Sequence, residues 1–323
     1  MRVLILTDSN HTATLGLIRA TLRLAARRGD EVCAVVTGRP EQFHPGPTAV
    51  ARAALRRSLV LATSRRGAYG RGMPLGPEVR RAARRHGVPV VSPPRGDLND
   101  PGFVDRVAED LRPDLALSFY CLSVLRRPFL DALGQAVNFH DGLLPRYRGL
   151  NATAFALYEG EPTSGFAFHR MDETLDTGRI LLEGAVPVAP EDGLADVSRR
   201  KAAAAVAALP AVLDRLAAGD PGRPQSGGSR YLAAADGMAM RSVPDPGALT
   251  ADEVERRVRA FCPVQVTVDG RVLPVTRVRR TPSGGRYAFR SADGVLLRPD
   301  RLMGLPPRTH QALHALFRGR DDL

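Results

Sequence analysis

Residues 2–6, Arg-Val-Leu-Ile-Leu, are apolar from the second residue to the last, and a polar turn and a long Ala-, Leu- and Arg-rich stretch to about residue 28 follow. A strand that is apolar on both faces needs cover on both faces, as in a parallel sheet with helices packed on either side. Residues 31–37 repeat the strand pattern and end at Gly38-Arg39-Pro40. Strand, helix and strand of these lengths predict a right-handed parallel crossover and therefore an α/β, doubly wound, Rossmann-like sheet. The spacing predicts further strands at 88–91 and 114–119 and a short helix at 77–85. Another helix is expected after Asn99, placed to cap it, with Pro101 in its first turn and Phe103, Val104, Val107 and Leu111 facing the core.

Residues 41–76 carry an Ala-Arg helix near 49–61 and a basic Gly-Arg loop at 64–72, whose glycines do not follow a strand in the pattern of a phosphate cradle. Further on, an alanine-rich helix is predicted over 194–217. The Gly-, Pro- and Ser-rich stretch after it reads as a linker at 219–228, dividing a domain at 1–218 from one at 229–323. In the second unit Thr250 is placed to cap a helix at 251–261. Asp269-Gly270 and Asp293-Gly294 then separate alternating segments, which predicts antiparallel hairpins and a small β-rich unit. With 323 residues, 44% of them hydrophobic, the chain can bury two cores.

The chemistry concentrates in residues 136–182. Ala136 to His140 alternates as a strand does, so Asn138 and His140 point to the same side. The run 141–149 reads as an ordered loop leaving a strand end, and Asn151 is placed to cap the helix after it. Residues 165–170 alternate again with Phe166 and Phe168 on one face, and the polar turn 172–178 can return Asp176 to His140. An amide, an imidazole and a carboxylate at one point suit acyl transfer to an amine. The amide and a protonated ring would bind an oxyanion, while the carboxylate orients the ring and favours imidazolium. From spacing alone a turn cap, a strand-end histidine and a turn residue are an equally good account. Ser9, Asn10 and Thr12, at the start of the first helix, are a candidate site for a phosphate of the acceptor.

Asn-x-His at 138–140, Leu-Leu-Pro-x-Tyr-Arg-Gly at 143–149, Gly-Glu-x-Thr-x-Gly at 160–165 and Met-Asp-x-x-Leu-Asp-Thr-Gly at 171–178 occur in this order. The series resembles the 10-formyltetrahydrofolate-dependent formyltransferases, which include methionyl-tRNA, glycinamide ribonucleotide and sugar N-formyltransferases. The resemblance makes Asn138, His140 and Asp176 the catalytic residues and 10-formyltetrahydrofolate the co-substrate. It assigns Leu122, Ser123, Val124, Val137, Met171, Asp172, Thr174 and Leu175 to the folate site. Arg256 to Pro263 resembles, over a shorter stretch, the start of the family's C-terminal OB-like domain, which holds an acceptor or mediates dimerisation. Methionyl-tRNA enzymes usually carry Ser where this chain has Gly142 and Ala-Ala-Pro where it has Leu150-Asn151-Ala152. A His-Asp-Gly with Gly-Leu-Asn is closer to enzymes of specialised metabolism acting on small amines, amino acids or amino sugars. Asp141 is then a candidate partner for an acceptor ammonium, and Tyr147 and Arg148 are candidate acceptor contacts.

The expected activity is formyl transfer to a small-molecule amine, with methionyl-tRNA as the alternative acceptor and a non-catalytic folate-binding protein as the remaining reading. The net charge of +12 suits tRNA, phosphorylated substrates or polyglutamylated folate, or reflects arginine at solvated positions. No apolar run approaches the length of a membrane span and no signal-peptide pattern opens the chain, so a cytoplasmic location without a membrane partner is expected. The three cysteines are too far apart for a disulfide framework or a zinc site, and no metal is expected.

Overall fold

The computed structural model describes residues 1–9, 12–38, 78–285 and 287–301. The expected helix and basic loop within 41–76 lie outside them. The first lobe runs β1 (Arg2–Leu6), α1 (Thr12–Arg28), β2 (Glu31–Val36), α2 (Glu78–Arg85), β3 (Val90–Val91), α3 (Pro101–Arg106, continued by a π turn over Val107–Leu111) and β4 (Leu115–Phe119). It continues with α4 (Arg127–Asp131), β5 (Gln135–His140), β6 (Arg148–Gly149), α5 (Ala152–Tyr158), β7 (Thr163–Arg170), β8 (Ile180–Pro187) and α6 (Leu194–Ala217). Among the described residues the main sheet has seven strands in the order β3-β2-β1-β4-β5-β7-β8. The first five are parallel, and β7 and β8 join antiparallel.

Alternation explains why β1 is apolar from Val3 to Leu6. Val3 and Ile5 pack against Leu17 and Ile18 of α1 and Leu209 and Val212 of α6 on one face. Leu4 and Leu6 pack against Phe103, Val107 and Phe129 of α3 and α4 on the other. Each such side chain contributes about 1.5–3 kcal/mol by leaving water, so the doubly wound form is the way to use all four apolar residues of the strand.

Two capping expectations are corrected. Pro101 occupies the first turn of α3, so the cap is the residue directly before it: Asp100 accepts from Phe103 N at 3.0 Å. Asn99 instead crosses to the loop after β4, donating to the Val124 carbonyl at 2.9 Å and accepting from Arg126 N at 2.7 Å. Asn151 does precede α5, but at φ 62 its side chain makes no cap bond. Its value there is tolerance of the left-handed backbone.

The second lobe contains β9 (Tyr231–Leu232), α7 (Ala234–Met240), β10 (Ser242–Val243), α8 (Ala251–Phe261), β11 (Val264–Val268), β12 (Arg271–Arg280), β13 (Phe289–Arg290) and β14 (Leu296–Arg301). Thr250 caps α8, accepting from Glu253 N. Among the described residues five of these strands form a sheet in the order β10-β11-β12-β14-β13. Both Asp-Gly turns join antiparallel neighbours, β11 to β12 and β13 to β14. The core of this lobe extends across residues 219–228 into the first. Phe155 of α5 meets Phe261 of α8 edge-on at 5.0 Å, and Val186 and Val197 join the same cluster. Helix α5, which follows the 141–149 loop, is therefore held from both lobes. Among the described residues no helix is long and apolar enough to cross a membrane.

Candidate active site

The site lies where β4 and β5 end. The β5 residues Asn138 and His140 share a face, and the antiparallel register sets His169 of β7 directly across from Asn138 and the small Ala167 across from His140. Ser118 of β4 donates from Oγ to Asn138 Oδ1 at 2.8 Å, which turns the amide nitrogen toward β7. Asp176 then reaches both rings: Oδ2 lies 3.5 Å from His140 Nδ1, and Oδ1 lies 3.4 Å from His169 Nε2. His169 is a member of the cluster that the motif reading missed. It donates from Nδ1 to the Arg170 carbonyl at 2.9 Å. Its Nε2, 3.2 Å from Asn138 Nδ2, accepts from the amide when the ring is neutral and faces the carboxylate as a donor when it is protonated.

His140 Nε2 donates to the Tyr147 carbonyl at 2.5 Å, which fixes the neutral ring with its lone pair on Nδ1, toward Asp176. Burial pushes the His140 pKa below its ordinary 6.5, and the opposing pull of Asp176 is the smaller effect. The expected imidazolium is corrected accordingly: the ring is mainly neutral at neutral pH. For Asp176 burial acts upward, but the His169 bond, the His140 ring and the Gly149 N–H together hold it at about 2. Both groups bind protons more readily in the unfolded chain, so both make stability fall with falling pH. The His140 share is lost below about pH 6.5 and the Asp176 share between about pH 3.8 and about 2. Thermal unfolding followed by circular dichroism from about pH 8 to about pH 5 should lose more stability in the wild type than in His140→Gln, which lacks the first titration.

Two segments hold the turn that carries the carboxylate. Gly149 N donates to Asp176 Oδ2 at 2.8 Å. Arg148 donates from Nε and Nη2 to the Leu175 carbonyl at 3.0 and 2.6 Å. Gln225, inside the stretch expected to be a linker, donates from Nε2 to the carbonyls of Asp176 and Gly178 at 2.9 and 2.8 Å. Asp176 has φ 56, a left-handed conformation that these carbonyl contacts brace. Gly178 packs so closely on Arg170 O that a Cβ there would lie 1.9 Å from it. The linker stretch thus runs across the site. Gln225→Ala should lower turnover about tenfold, the equivalent of about 1.4 kcal/mol on the barrier, while denaturant unfolding changes by about 1 kcal/mol. Equal turnover in the two proteins would remove Gln225 from the site.

The other expected site residues divide. Tyr147 is buried, its hydroxyl donating to Glu159 Oε2 at 2.6 Å, and the Arg148 guanidinium is spent on Leu175 and Ser229. Asp141 faces an internal ammonium, that of Lys201 at 2.8 Å. These three side chains brace the loop instead of standing open to an acceptor. Ser9 N donates to Thr7 Oγ1 at 3.2 Å. Asn10 and the Thr12 side chain lie outside the described residues.

Leu122 and Val124, in the loop after β4, are 50% and 55% exposed, and Leu175, next to Asp176 in the chain, is exposed too. Ser123 is anchored from behind, its N and Oγ donating to the buried Asp8 Oδ2 at 3.0 and 2.8 Å. Val137 is corrected: its side chain is buried in the main core on the face away from Asn138. A cleft of about 510 Å³ opens between α4, the start of β5 and the turn after β7. Met171, Asp172 and Thr174 line it together with Leu130 and Ala136. Ala136 stands two residues before Asn138 on the same face of the strand. The cleft has the size of a small-molecule site. Among the described residues no group of three or more His, Cys, Asp or Glu is set to hold a metal ion.

A family model described as formyl transferase matches residues 81–213, which contain Asn138, His140 and Asp176. A methionyl-tRNA formyltransferase of Halorhodospira halophila is 33% identical over 237 residues, covering 71% of this chain and 73% of that protein. The chain belongs to the formyltransferase family. A second family member, a GDP-perosamine N-formyltransferase of Brucella melitensis, is 35% identical over 176 residues, 51% of this chain. That match spans 65% of the Brucella protein, just under two thirds of its length. The fold is shared with the solved structure of an N-formyltransferase from Helicobacter canadensis in complex with folinic acid and dTDP-3-aminofucose, with TM-score 0.61 at 13% identity over 93% of this chain and 99% of that one.

Proposed function

We propose that this chain is an N-formyltransferase that moves the formyl group of 10-formyltetrahydrofolate to the primary amine of a small molecule, an amino sugar in nucleotide-linked form. The convergence of Asn138, His140 and Asp176 at the end of β5 is the observation that carries the reading. The exposed Leu122, Val124 and Leu175 and the size of the cleft fit a flat aromatic co-substrate. That co-substrate supplies an activated formyl group, so no serine or cysteine nucleophile is needed.

The residues divide the work as follows. Nδ2 of Asn138 has two N–H groups; one faces His169, and the other is left for the oxyanion that forms as the amine adds to the formyl carbon. His140 is neutral with its lone pair toward Asp176, so the pair takes up the proton the amine loses and holds it between Nδ1 and Oδ2. The same proton then goes to the departing nitrogen as the old C–N bond breaks, giving an N-formyl amine and tetrahydrofolate. The oxyanion role expected for His140 passes to Asn138, because Nε2–H is committed to Tyr147.

The amino sugar is supported by the names of the Brucella and Helicobacter proteins. The H. halophila relative and the charge of +12 favour methionyl-tRNA as the second reading. The test is tetrahydrofolate release from 10-formyltetrahydrofolate with GDP- and dTDP-linked amino sugars and, in parallel, charged initiator tRNA. Release with an amino sugar that is insensitive to moderate salt supports the first reading. Release only with tRNA, falling steeply with added salt, establishes the second.

A further inference from the structure

Lys201 is the only lysine in the chain; arginine fills every other Lys or Arg position. It is 1% exposed, on α6, in the apolar stripe that also holds Val197 and Ala205. Its Nζ lies 2.8 Å from Asp141 Oδ1, donates to the Asp141 carbonyl at 2.9 Å and donates to Thr153 Oγ1. Thr153 in turn donates to Asp141 Oδ2 at 2.8 Å. Two N–H groups thus meet the Asp141 carbonyl and Thr153, and the ammonium pairs with the Asp141 carboxylate by charge. A planar guanidinium with five N–H groups would leave donors unpaired in this dry site, which explains lysine here in a chain that otherwise uses arginine.

The pair joins three elements next to His140: the residue that follows it, the first turn of α5 and the middle of α6. A buried ion pair adds little net stability over apolar residues of the same shape, so stability alone does not account for it. Its electrical effect is specific. The charged groups that act on the His140 ring are Asp176 from the turn, His169 from β7 and Asp141, the next residue in the chain; both carboxylates favour a protonated ring, Asp141 the more weakly, and His169 opposes it. Tyr120, at the end of β4, also lies within the field of Asp141.

We propose that Lys201, through Asp141 and Thr153, is a positioning residue for His140: it locks the junction of strand and loop and cancels the Asp141 charge, leaving Asp176 to govern the ring. This deepens the formyl-transfer reading and rests on it for the role of His140. Neutral His140, with the proton taken up only against Asp176, is what the transfer requires. An uncompensated Asp141 would favour protonation of the ring before the amine arrives.

The test is the NMR titration of His140 in the full chain labelled with 13C-histidine, assigned with His140→Gln. It compares wild type, Lys201→Met, Asp141→Asn and the double variant. Two charges several ångströms apart near a protein surface predict a midpoint about half a pH unit or more higher in Lys201→Met and lower by a similar amount in Asp141→Asn. The double variant should return to within about 0.2 of wild type, because the two changes cancel. A folded Lys201→Met whose His140 midpoint is unmoved or lower overturns the proposal. If Lys201→Met fails to fold, with Asp141 left unpaired, the other two decide: a lower midpoint in Asp141→Asn than in the double variant supports the proposal, and equal midpoints overturn it. The titration needs neither acceptor nor folate. Its failure leaves formyl transfer standing, and failure to detect transfer leaves the pairing standing.

Discussion

Asp176→Asn is expected to lower turnover about a hundredfold or more, since an electrostatic partner of the reacting groups is typically worth a few kcal/mol. The substitution is nearly isosteric, and asparagine tolerates the left-handed backbone found at this position, φ 56, so the turn should persist. One side-chain oxygen remains to accept from Gly149 N. What disappears is the negative charge between the His140 and His169 rings. Without it a proton arriving at His140 Nδ1 has no counter-charge, and burial, already the dominant influence on that ring, acts unopposed by its strongest partner. The loss should appear in kcat more than in the KM for either substrate, because the charge acts on the proton in transit and not on a resting ligand. The acid limb of stability that Asp176 supplies above about pH 3.8 should go with it. Wild-type turnover in the variant would remove the proton-acceptor pair from the mechanism.

The parts of this site legible in the sequence are those a strand's alternation reports. Asn138 and His140 are two apart and share a face, and the turn before β8 does bring Asp176 to them. His169 was within reach of the same logic. Phe166 and Phe168 belong to the core, so His169 must face the other way, but only the register of β5 on β7 shows that it meets Asn138. Lys201 also left a trace, as a charge in the stripe of Val197 and Ala205, where a helix buries its apolar face. Gln225 left none. Its stretch is rich in Gly, Pro and Ser and has no periodicity, and its partner carbonyls are separated from it by 49 and 47 positions in the chain. The Asn99 cap failed for a local reason, since a proline in the first turn pins the cap to the position before it. The doubly wound parallel sheet was readable because buried parallel strands demand apolar residues on both faces. The acceptor-side assignments of Asp141, Tyr147 and Arg148 rested on polar loop residues, and such residues serve internal bonds as readily as ligands.

Gly142→Ser, which installs the residue usual in methionyl-tRNA enzymes, should here cost both activity and stability. A Cβ at position 142 would lie 2.6 Å from the Ala152 Cβ, 2.9 Å from His140 Nε2 and 2.9 Å from the Tyr147 carbonyl oxygen. The last two atoms are the partners of the bond that sets the His140 tautomer, and Ala152 begins the helix that both lobes grip. None of the three is the free end of a flexible side chain, so relief requires the ring, the loop or the helix to move. Overpacking of this kind typically costs about 1–3 kcal/mol. Displacement of the ring by as little as about 1 Å is enough for a loss of turnover on the order of a hundredfold. Gly142→Ala should show nearly the same loss, because the first added carbon makes the collision and the hydroxyl is secondary. Turnover, denaturant unfolding and the His140 NMR signal of the two variants check this together. If Gly142→Ser were active and Gly142→Ala were not, the hydroxyl would be replacing a bond in the site, and the steric account of Gly142 would fall.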